Sequence, residues 1–390
     1  MKGELMAITL EKIYKSTQNK YQMQLIAGKK SIKNLVEWVH MVEDSELISF
    51  LKGKELVIIT GIGRIARNEM LDFCKHLFQH QVSGFIINIG PYISEVPEEI
   101  IDFCEENDFP LFTVPWEIKL VDVIRELCSM IFQSEQRNAS ISEAFKDAIF
   151  YPEQKSMYLP VLERHGYGAD TDYCVIAVKV VTEQEELYLN FMKLLQSEIE
   201  KIINKMSDKF ILFKYEGNII IALVGFTGNS IENIISELIH GSSQHNNYSF
   251  YIGVGPAKLK IKALSKYFRR IISLVRLGIK TNKRVVYYDK LDVHKLILTM
   301  EDTDMLHEFY REALGSLESY DRENNTGYYG FLKQYFETNG KIHRLSELNY
   351  IHRNTVHYQL KKIQDITGCN LADWNDQLKL SLAFYIKDIL

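Results

Sequence analysis

The sequence predicts a multidomain α/β protein with an N-terminal α/β domain on a parallel sheet, a middle domain of βαββαβ order and an all-α C-terminal domain. Three observations predict it. Between residues 55 and 116, short β-branched or apolar runs alternate with stretches of helical period. From about 170 to 290 the rhythm becomes strand, long helix, hairpin, helix and strand. From about 295 onward the apolar pattern is helical to the last residue.

In the first block, ELVIITG (55–61), GFIINIG (84–90) and PLFTVPW (110–116) read as strands. Between the first two, Met70, Phe73, Cys74, Leu77 and Phe78 recur at steps of three and four, as one helix face requires. Ile100, Ile101, Phe103 and Cys104 mark a second helix, starting at Pro97 with Glu98 and Glu99 facing its positive end. On a strand around Val39, Trp38 is expected in the core and His40 at the surface or in a hydrogen bond. VDVIRELCSMIF leads out of a domain expected over 1–135, and SISEAFKDAIF with the Tyr151-Pro152 turn belongs to a helical connector over 136–168.

The second domain is expected over 169–292. YCVIAVKV (173–180) is a strand, LYLNFMKLLQSEIEKIINKM a helix, and KFILFKYEGNIIIALVGF (209–226) a hairpin turning at Glu216, Gly217 and Asn218. A helix over 230–240, the strand YSFYIGVG (248–255), a basic helix from about 260 to 277 and the strand VVYY (285–288) complete it. This order resembles a ferredoxin-like sheet with helices on one face. A second helical connector is expected over 293–326. DRENNTG (321–327), with Gly327 and Gly330, reads as a hinge before a terminal domain over 327–390.

Composition bounds the function classes. At 390 residues, 46% hydrophobic and 25% charged, with 7 prolines and 21 glycines, the chain has enough apolar material for two or three cores and no disordered tract. Cys74, Cys104, Cys128, Cys174 and Cys369 are odd in number and contain no CxxC pair, which argues against a disulfide framework and a thiolate zinc site. The first residues lack a signal-peptide core and no uncharged apolar run reaches 18 residues, so a cytoplasmic protein without a membrane segment is expected. There is no GxSxG elbow and no GxxxxGK[ST] loop, and His76 and His80 lack the Glu of an HExxH frame. No catalytic residue, metal or cofactor is expected.

The most informative stretch is the last. Phe331, Leu332, Tyr335 and Phe336 form one apolar stripe that stops at Asn339-Gly340. Leu345 and Leu348 begin a short helix, Ile351 fills a turn, and Val356, Leu360, Ile363 and Ile366 line a longer helix ending at Gly368. Two helices joined this tightly make a helix-turn-helix. With the apolar positions inward, Arg353, Asn354, His357 and Lys361 point outward, Tyr358 and Lys362 lie beside them, and Thr355 sits in the first turn. Arg, Asn and neutral His hydrogen-bond base edges in the major groove. Residues 341–364 hold five Lys or Arg against one acid, in a chain of net charge −5. Double-stranded DNA is the partner this implies.

LSELNYIHRNTVHYQLKKIQDITGCNLADWNDQLKLSLAFYI resembles the C-terminal helix-turn-helix of the PucR (purine catabolism regulator) family. The resemblance rests on His352-Arg353-Asn354-Thr355, then Tyr358, Leu360, Gly368 and Leu371. Gln359 and the Ser346-Glu347 pair depart from the family pattern. The N-terminal block is similar to that family over Lys33–His40 and Gly53–Gly61, and the middle block looks like its GGDEF-like domain, including Ile252-Gly253-Val254-Gly255. The resemblance implies a cytoplasmic transcriptional regulator, usually an activator of metabolic genes, acting as a homodimer or higher homo-oligomer. Its hairpin offers one carboxylate, Glu216, and no Gly-Gly pair, so cyclic dinucleotide synthesis is not expected.

Open parallel sheets bind ligands beyond the carboxyl ends of their strands. Glu55, Thr60, Gly61, Arg64 and Asn88 are therefore the candidates for a metabolite effector, purine-related or an amino acid; alternatively the glycines only permit turns and Glu55 caps a neighbouring segment. Residues 258–284 carry ten basic side chains and no acid. They make either an amphipathic helix with a solvated basic side or a surface for DNA phosphates or an acidic subunit face, with Lys266, Arg269 and Arg270 as the contacts. Two rival functions stay open at this level: an enzyme or nucleotide-binding protein using the N-terminal α/β domain, with the C-terminal helices regulatory, and an adaptor whose terminal helices bind protein.

Overall fold

The computed structural model describes residues 7–62, 69–242, 248–300 and 302–390. At the N-terminus, β1 (Ile8–Thr9) leads into α1 (Leu10–Thr17), followed by β2 (Gln24–Ala27), β3 (Leu35–Val36), β4 (Trp38–Met41), β5 (Glu55–Ile59), α2 (Met70–Gln79), β6 (Gly84–Ile89), α3 (Glu98–Glu106) and β7 (Leu111–Pro115). The sheet order is β2-β7-β6-β5-β4. Strands β4 to β7 are parallel, as the alternation of strand and helix demands, while β2 runs antiparallel on β7 and makes the sheet mixed. Successive side chains of β5 point to opposite faces. Val57 and Ile59 pack with Phe73, Leu77 and Cys104 under α2 and α3, and Leu56 and Ile58 pack with Leu10 and Ile13 of α1 on the other side. Trp38 departs from expectation: β4 is an edge strand whose alternation turns Val39 inward and leaves Trp38 58% exposed.

Helix α4 (Leu120–Phe150) runs unbroken for 31 residues through the boundary expected at 135. No glycine or proline interrupts it. Val123, Leu127 and Ile131 serve the first core, and Ile141, Phe145 and Ile149 serve the next. Tyr158 and Leu162 of α5 (Lys155–Arg164) join that same second core, so 136–168 is part of a packed body instead of a connector.

The middle elements are β8 (Tyr173–Val181), α6 (Tyr188–Met206), β9 (Phe210–Tyr215), β10 (Asn218–Val224), α7 (Gly228–Ser242), β11 (Ser249–Val254), α8 (Leu264–Thr281) and β12 (Val285–Tyr287). Their sheet order is β12-β11-β8-β10-β9, with β8 antiparallel to both neighbours and β12 parallel to β11. Glu216 and Gly217 turn the hairpin with φ of 47° and 72°, the left-handed pair that matches the twist of its strands. Helices cover both faces, not one. Every residue of β10 is buried, so each side needs an apolar cover. Leu195, Ile199 and Ile234 from α6 and α7 supply one, and Phe145, Phe268, Ile271 and Val275 from α4 and α8 supply the other.

The C-terminal helices are α9 (Val293–Ile297), α10 (Thr303–Asn324), α11 (Tyr328–Glu337), α12 (Ile342–Leu348), α13 (Arg353–Thr367) and α14 (Trp374–Ile389). Leu314 and Leu317 of α10 share one core with Leu332, Leu345, Val356, Ile363 and Leu380. The expected connector over 293–326 is thus built into the terminal body. The expected hinge is closed as well: Asp321 accepts hydrogen bonds from the Thr326 hydroxyl and the amides of Tyr328 and Tyr329, capping α11 from the end of α10.

Candidate nucleic-acid interface and effector region

Helix α13 owes its start to His352, whose Nδ1 accepts from the Asn354 amide at 3.3 Å. It ends at Gly368, with φ of 69° in the left-handed region that glycine tolerates. Val356, Leu360 and Ile363 are buried against α10, α11 and α12. That inward face leaves Arg353, Asn354, Thr355, His357, Tyr358 and Lys361 exposed, with Tyr358 67% open to solvent. The six lie on the first two and a half turns of the helix. Lys362 does not join them; it is half-buried with its ammonium 5.6 Å from the Tyr320 ring centroid.

The turn before α13 is braced from behind. Asn349 Nδ2 donates to Gln334 Oε1 on α11 at 2.7 Å and to Leu345 O at 3.0 Å, and the Ile351 amide donates to Ser346 O. This holds Tyr350 at φ 54° with its ring 96% exposed, and it leaves Leu348 exposed where the apolar period places it inside. The periodicity misses Tyr350 because a turn has no period; only its aromatic type inside a polar turn marks it. Past the helix, Gln364 Oε1 accepts from the Leu371 amide, and Asp373 caps α14 through the amides of Asn375 and Asp376.

The effector candidates separate. Thr60 and Gly61 follow the carboxyl end of β5, and Asn88 lies near that of the adjacent β6. Asn88 donates its amide to Val114 O at 3.0 Å and Pro115 O at 3.2 Å, tying β6 to β7. Glu43, which the sequence reading passes over, organises this edge: its carboxylate accepts from the Thr60 amide and hydroxyl, both at 2.7 Å, and from the Gly61 amide at 3.1 Å. Gly61 has φ of 73°, and a Cβ there would meet Ile93 at 2.6 Å. The exposed rings of Tyr92 and Trp116, 5.5 Å apart, form a rim at the same edge. Glu55 begins β5 and so lies at the opposite end; it is 9% exposed, and its Oε1 accepts from the Lys52 amide. It does not join the others. Arg64 lies outside the described residues.

A polar cleft of about 70 Å³ opens between the first two bodies, lined among others by Lys12, Arg137, Glu200 and Asp208. Lys12 and Asp208 close across it at 2.7 Å. In the N-terminal domain the Cys74 and Cys104 sulfurs are 3.7 Å apart, and that contact together with burial pushes the Cys74 thiol up, away from reactivity. Among the described residues there is no cluster of His, Cys, Asp or Glu suited to a metal ion, and no helix is long and apolar enough to cross a membrane.

Residues 12–131 match the purine catabolism regulatory protein-like family, and residues 328–386 match the PucR C-terminal helix-turn-helix domain. Residues 132–327 lie outside both matches. The chain is 23% identical over 320 residues to the proline-responsive transcriptional activator PutR of Bacillus subtilis (strain 168), an alignment covering 77% of this chain and 72% of that protein. It is 25% identical over 121 residues to the purine catabolism regulatory protein of the same organism, covering 31% and 22% of the two chains. With the DNA-binding transcriptional activator AdeR of that organism it shares 22% identity over 134 residues, 34% and 32% of the two chains. Among solved structures, the regulator of polyketide synthase expression from Bifidobacterium adolescentis aligns at a TM-score of 0.33 and 15% identity, over 63% of this chain and 91% of that one.

Proposed function

We propose, starting from a DNA-binding regulatory protein with a purine catabolism regulatory protein-like domain at one end and a PucR C-terminal helix-turn-helix domain at the other, that this chain is a metabolite-responsive transcriptional activator. It reads the major groove with α13, beginning at Arg353. The observation that carries this reading is the six-residue outward face of α13, polar and basic at the helix start while the opposite face is buried. In helix-turn-helix proteins the N-terminal part of the second helix meets the base edges. Arg353 and Asn354 supply the donors for guanine or adenine, Thr355 and Tyr358 reach phosphate or base, and Lys361 adds charge along the backbone.

The effector enters at the carboxyl edge of the N-terminal sheet, beside Thr60, Gly61 and Asn88, where the Tyr92 and Trp116 rings offer an apolar surface. A purine or an amino acid such as proline is the class of ligand that the relatives' names point to. The middle domain acts as a ferredoxin-like, GGDEF-like scaffold without catalysis that holds a homodimer. Its support is the strand order β11-β8-β10-β9, which follows βαββαβ connectivity. A dimer presents two reading helices to related half-sites and strengthens binding through their shared tether.

The test measures binding of the chain to its own upstream region and to random DNA, with and without proline or a purine. Arg353→Ala and Asn354→Ala are expected to lower the preference for the specific site by roughly 1–3 kcal/mol for each bidentate pairing with a base that they abolish, with the fold unchanged. Equal binding of the unaltered chain to specific and random DNA overturns the proposal.

A further inference from the structure

Helix α8 has three sides, and two of them are used. Phe268, Ile271 and Val275 pack on the sheet of the middle domain. Leu274 and Leu277 turn sideways onto Val286, Leu298 and Ile389, so the helix also touches the end of α14. Lys280 Nζ donates to the Lys387 carbonyl at 3.2 Å, a cation set at the negative end of α14. What remains is solvent-exposed and basic: Lys266, Arg269, Arg276 and Lys280, with Lys262 one turn before the helix. At 3.6 residues per turn these fall within about 80° of one another, and Lys266 to Lys280 spans about 21 Å along the axis.

Among the described residues, no hydrogen bond or ion pair engages the side chains of Lys262, Lys266, Arg269 or Arg276. Several other cations of the same segment are engaged. Lys260 pairs with Asp172 at 2.8 Å, and Arg284 lies over the Phe250 ring. Arg270, a contact expected from the sequence, is 9% exposed, with its guanidinium over the Tyr267 ring and Nη1 3.5 Å from the Tyr288 hydroxyl. It is a packing residue. Four unpaired cations on one face, in a chain of net charge −5, form a surface that a polyanion complements. Two copies meeting through this stripe would repel.

We infer that the stripe Lys262, Lys266, Arg269 and Arg276 binds the phosphate backbone of DNA flanking the site read by α13, as a second, sequence-independent contact. A duplex presents roughly a dozen phosphate charges over a length of about 21 Å. The inference rests on the DNA-binding reading above, and its failure is separable from the failure of that reading. Because α8 packs on α14, the stripe is carried at a fixed place relative to the terminal domain. Phosphate contacts set position and affinity, while base contacts set preference.

The experiment uses the full chain with all four residues changed to Gln (Lys262→Gln, Lys266→Gln, Arg269→Gln, Arg276→Gln), and the double variant Lys266→Gln, Arg269→Gln as a milder form. Affinity for the upstream region and for random duplex is measured over a salt series, with thermal unfolding as the control for folding. The slope of log K against log salt should become shallower by about 0.9 for each phosphate that is no longer neutralised, equally for both DNAs, leaving their ratio intact. An unchanged slope overturns the inference, and is also what a stripe serving an acidic protein surface would give. The base-reading proposal survives that result if Arg353→Ala still removes the preference. An unaltered chain that binds no duplex overturns both.

Discussion

Glu43 and Arg353 illustrate how unevenly single residues can be read. Arg353 and its neighbours are legible because the inward positions Val356, Leu360 and Ile363 fix the helix phase, and the outward positions follow from it. Glu43 has no such signal. It meets Thr60 and Gly61 only because β4 and β5 pair in register, bringing residues 17 and 18 positions apart to hydrogen-bond distance. Removing it with Glu43→Ala strands two backbone amides near the sheet edge. Stability should fall by about 1–3 kcal/mol in urea denaturation, and Glu43→Gln, which keeps an acceptor oxygen, should lose less. A loss no larger than that of an exposed-site control such as Glu46→Ala would show that the three hydrogen bonds do not hold this edge.

At the scale of elements, the strands and helices fall close to their expected places, because buried strands and amphipathic helices declare themselves by period. Boundaries between bodies are harder to read. Helix α4 shows why: its apolar stripe lapses over residues 133–140, which reads as a boundary between elements, yet nothing there breaks the helix, and the partner of the stripe changes from the first sheet to the second across that gap. A helix shared in this way transmits displacement between domains only while it remains unbroken. Ser140 is exposed between the two halves, so Ser140→Pro should cost about 3 kcal/mol by removing a helical hydrogen bond and kinking α4, whereas Ser140→Ala should be near neutral. Denaturation of the proline variant should split into two transitions. A single transition at the unaltered midpoint would mean that α4 does not couple the bodies.

For the molecule as a whole, the last turn of α14 meets α8 of the middle domain through Ile389 and the Lys387 carbonyl, and charge pairs fasten that same turn to α9, α10 and α11 of its own domain. Asp388 lies 3.3 Å from His294 Nε2 on α9 and 3.7 Å from Lys333 Nζ on α11, while Lys387 pairs with Glu318 of α10 at 3.3 Å. Burial works to raise the Asp388 carboxyl, but the His294 hydrogen bond and the Lys333 charge outweigh it and hold the group below its ordinary 3.8. A depressed carboxyl contributes stability above its unfolded value and loses it as pH falls through the folded one. Asp388→Asn should therefore be less stable than the unaltered chain at pH 7, and urea titrations should show the gap closing as pH drops below 3.8. A gap that is constant from pH 7 to pH 3 would assign the loss to packing instead of charge.

The amino-acid sequence by itself determined the βα alternation, the βαββαβ order and the helix-turn-helix with its outward face, since each depends on local period, turn residues and helix caps. Only the tertiary structure decided which elements share a core. It moved α5 and α10 from connectors into packed bodies, closed the hinge through Asp321, separated Glu55 from Thr60, and buried Arg270 while leaving its basic neighbours open. The physical reason is that a helix pattern records that a face is buried, but the identity of the surface covering it is set by contacts between residues far apart in the chain.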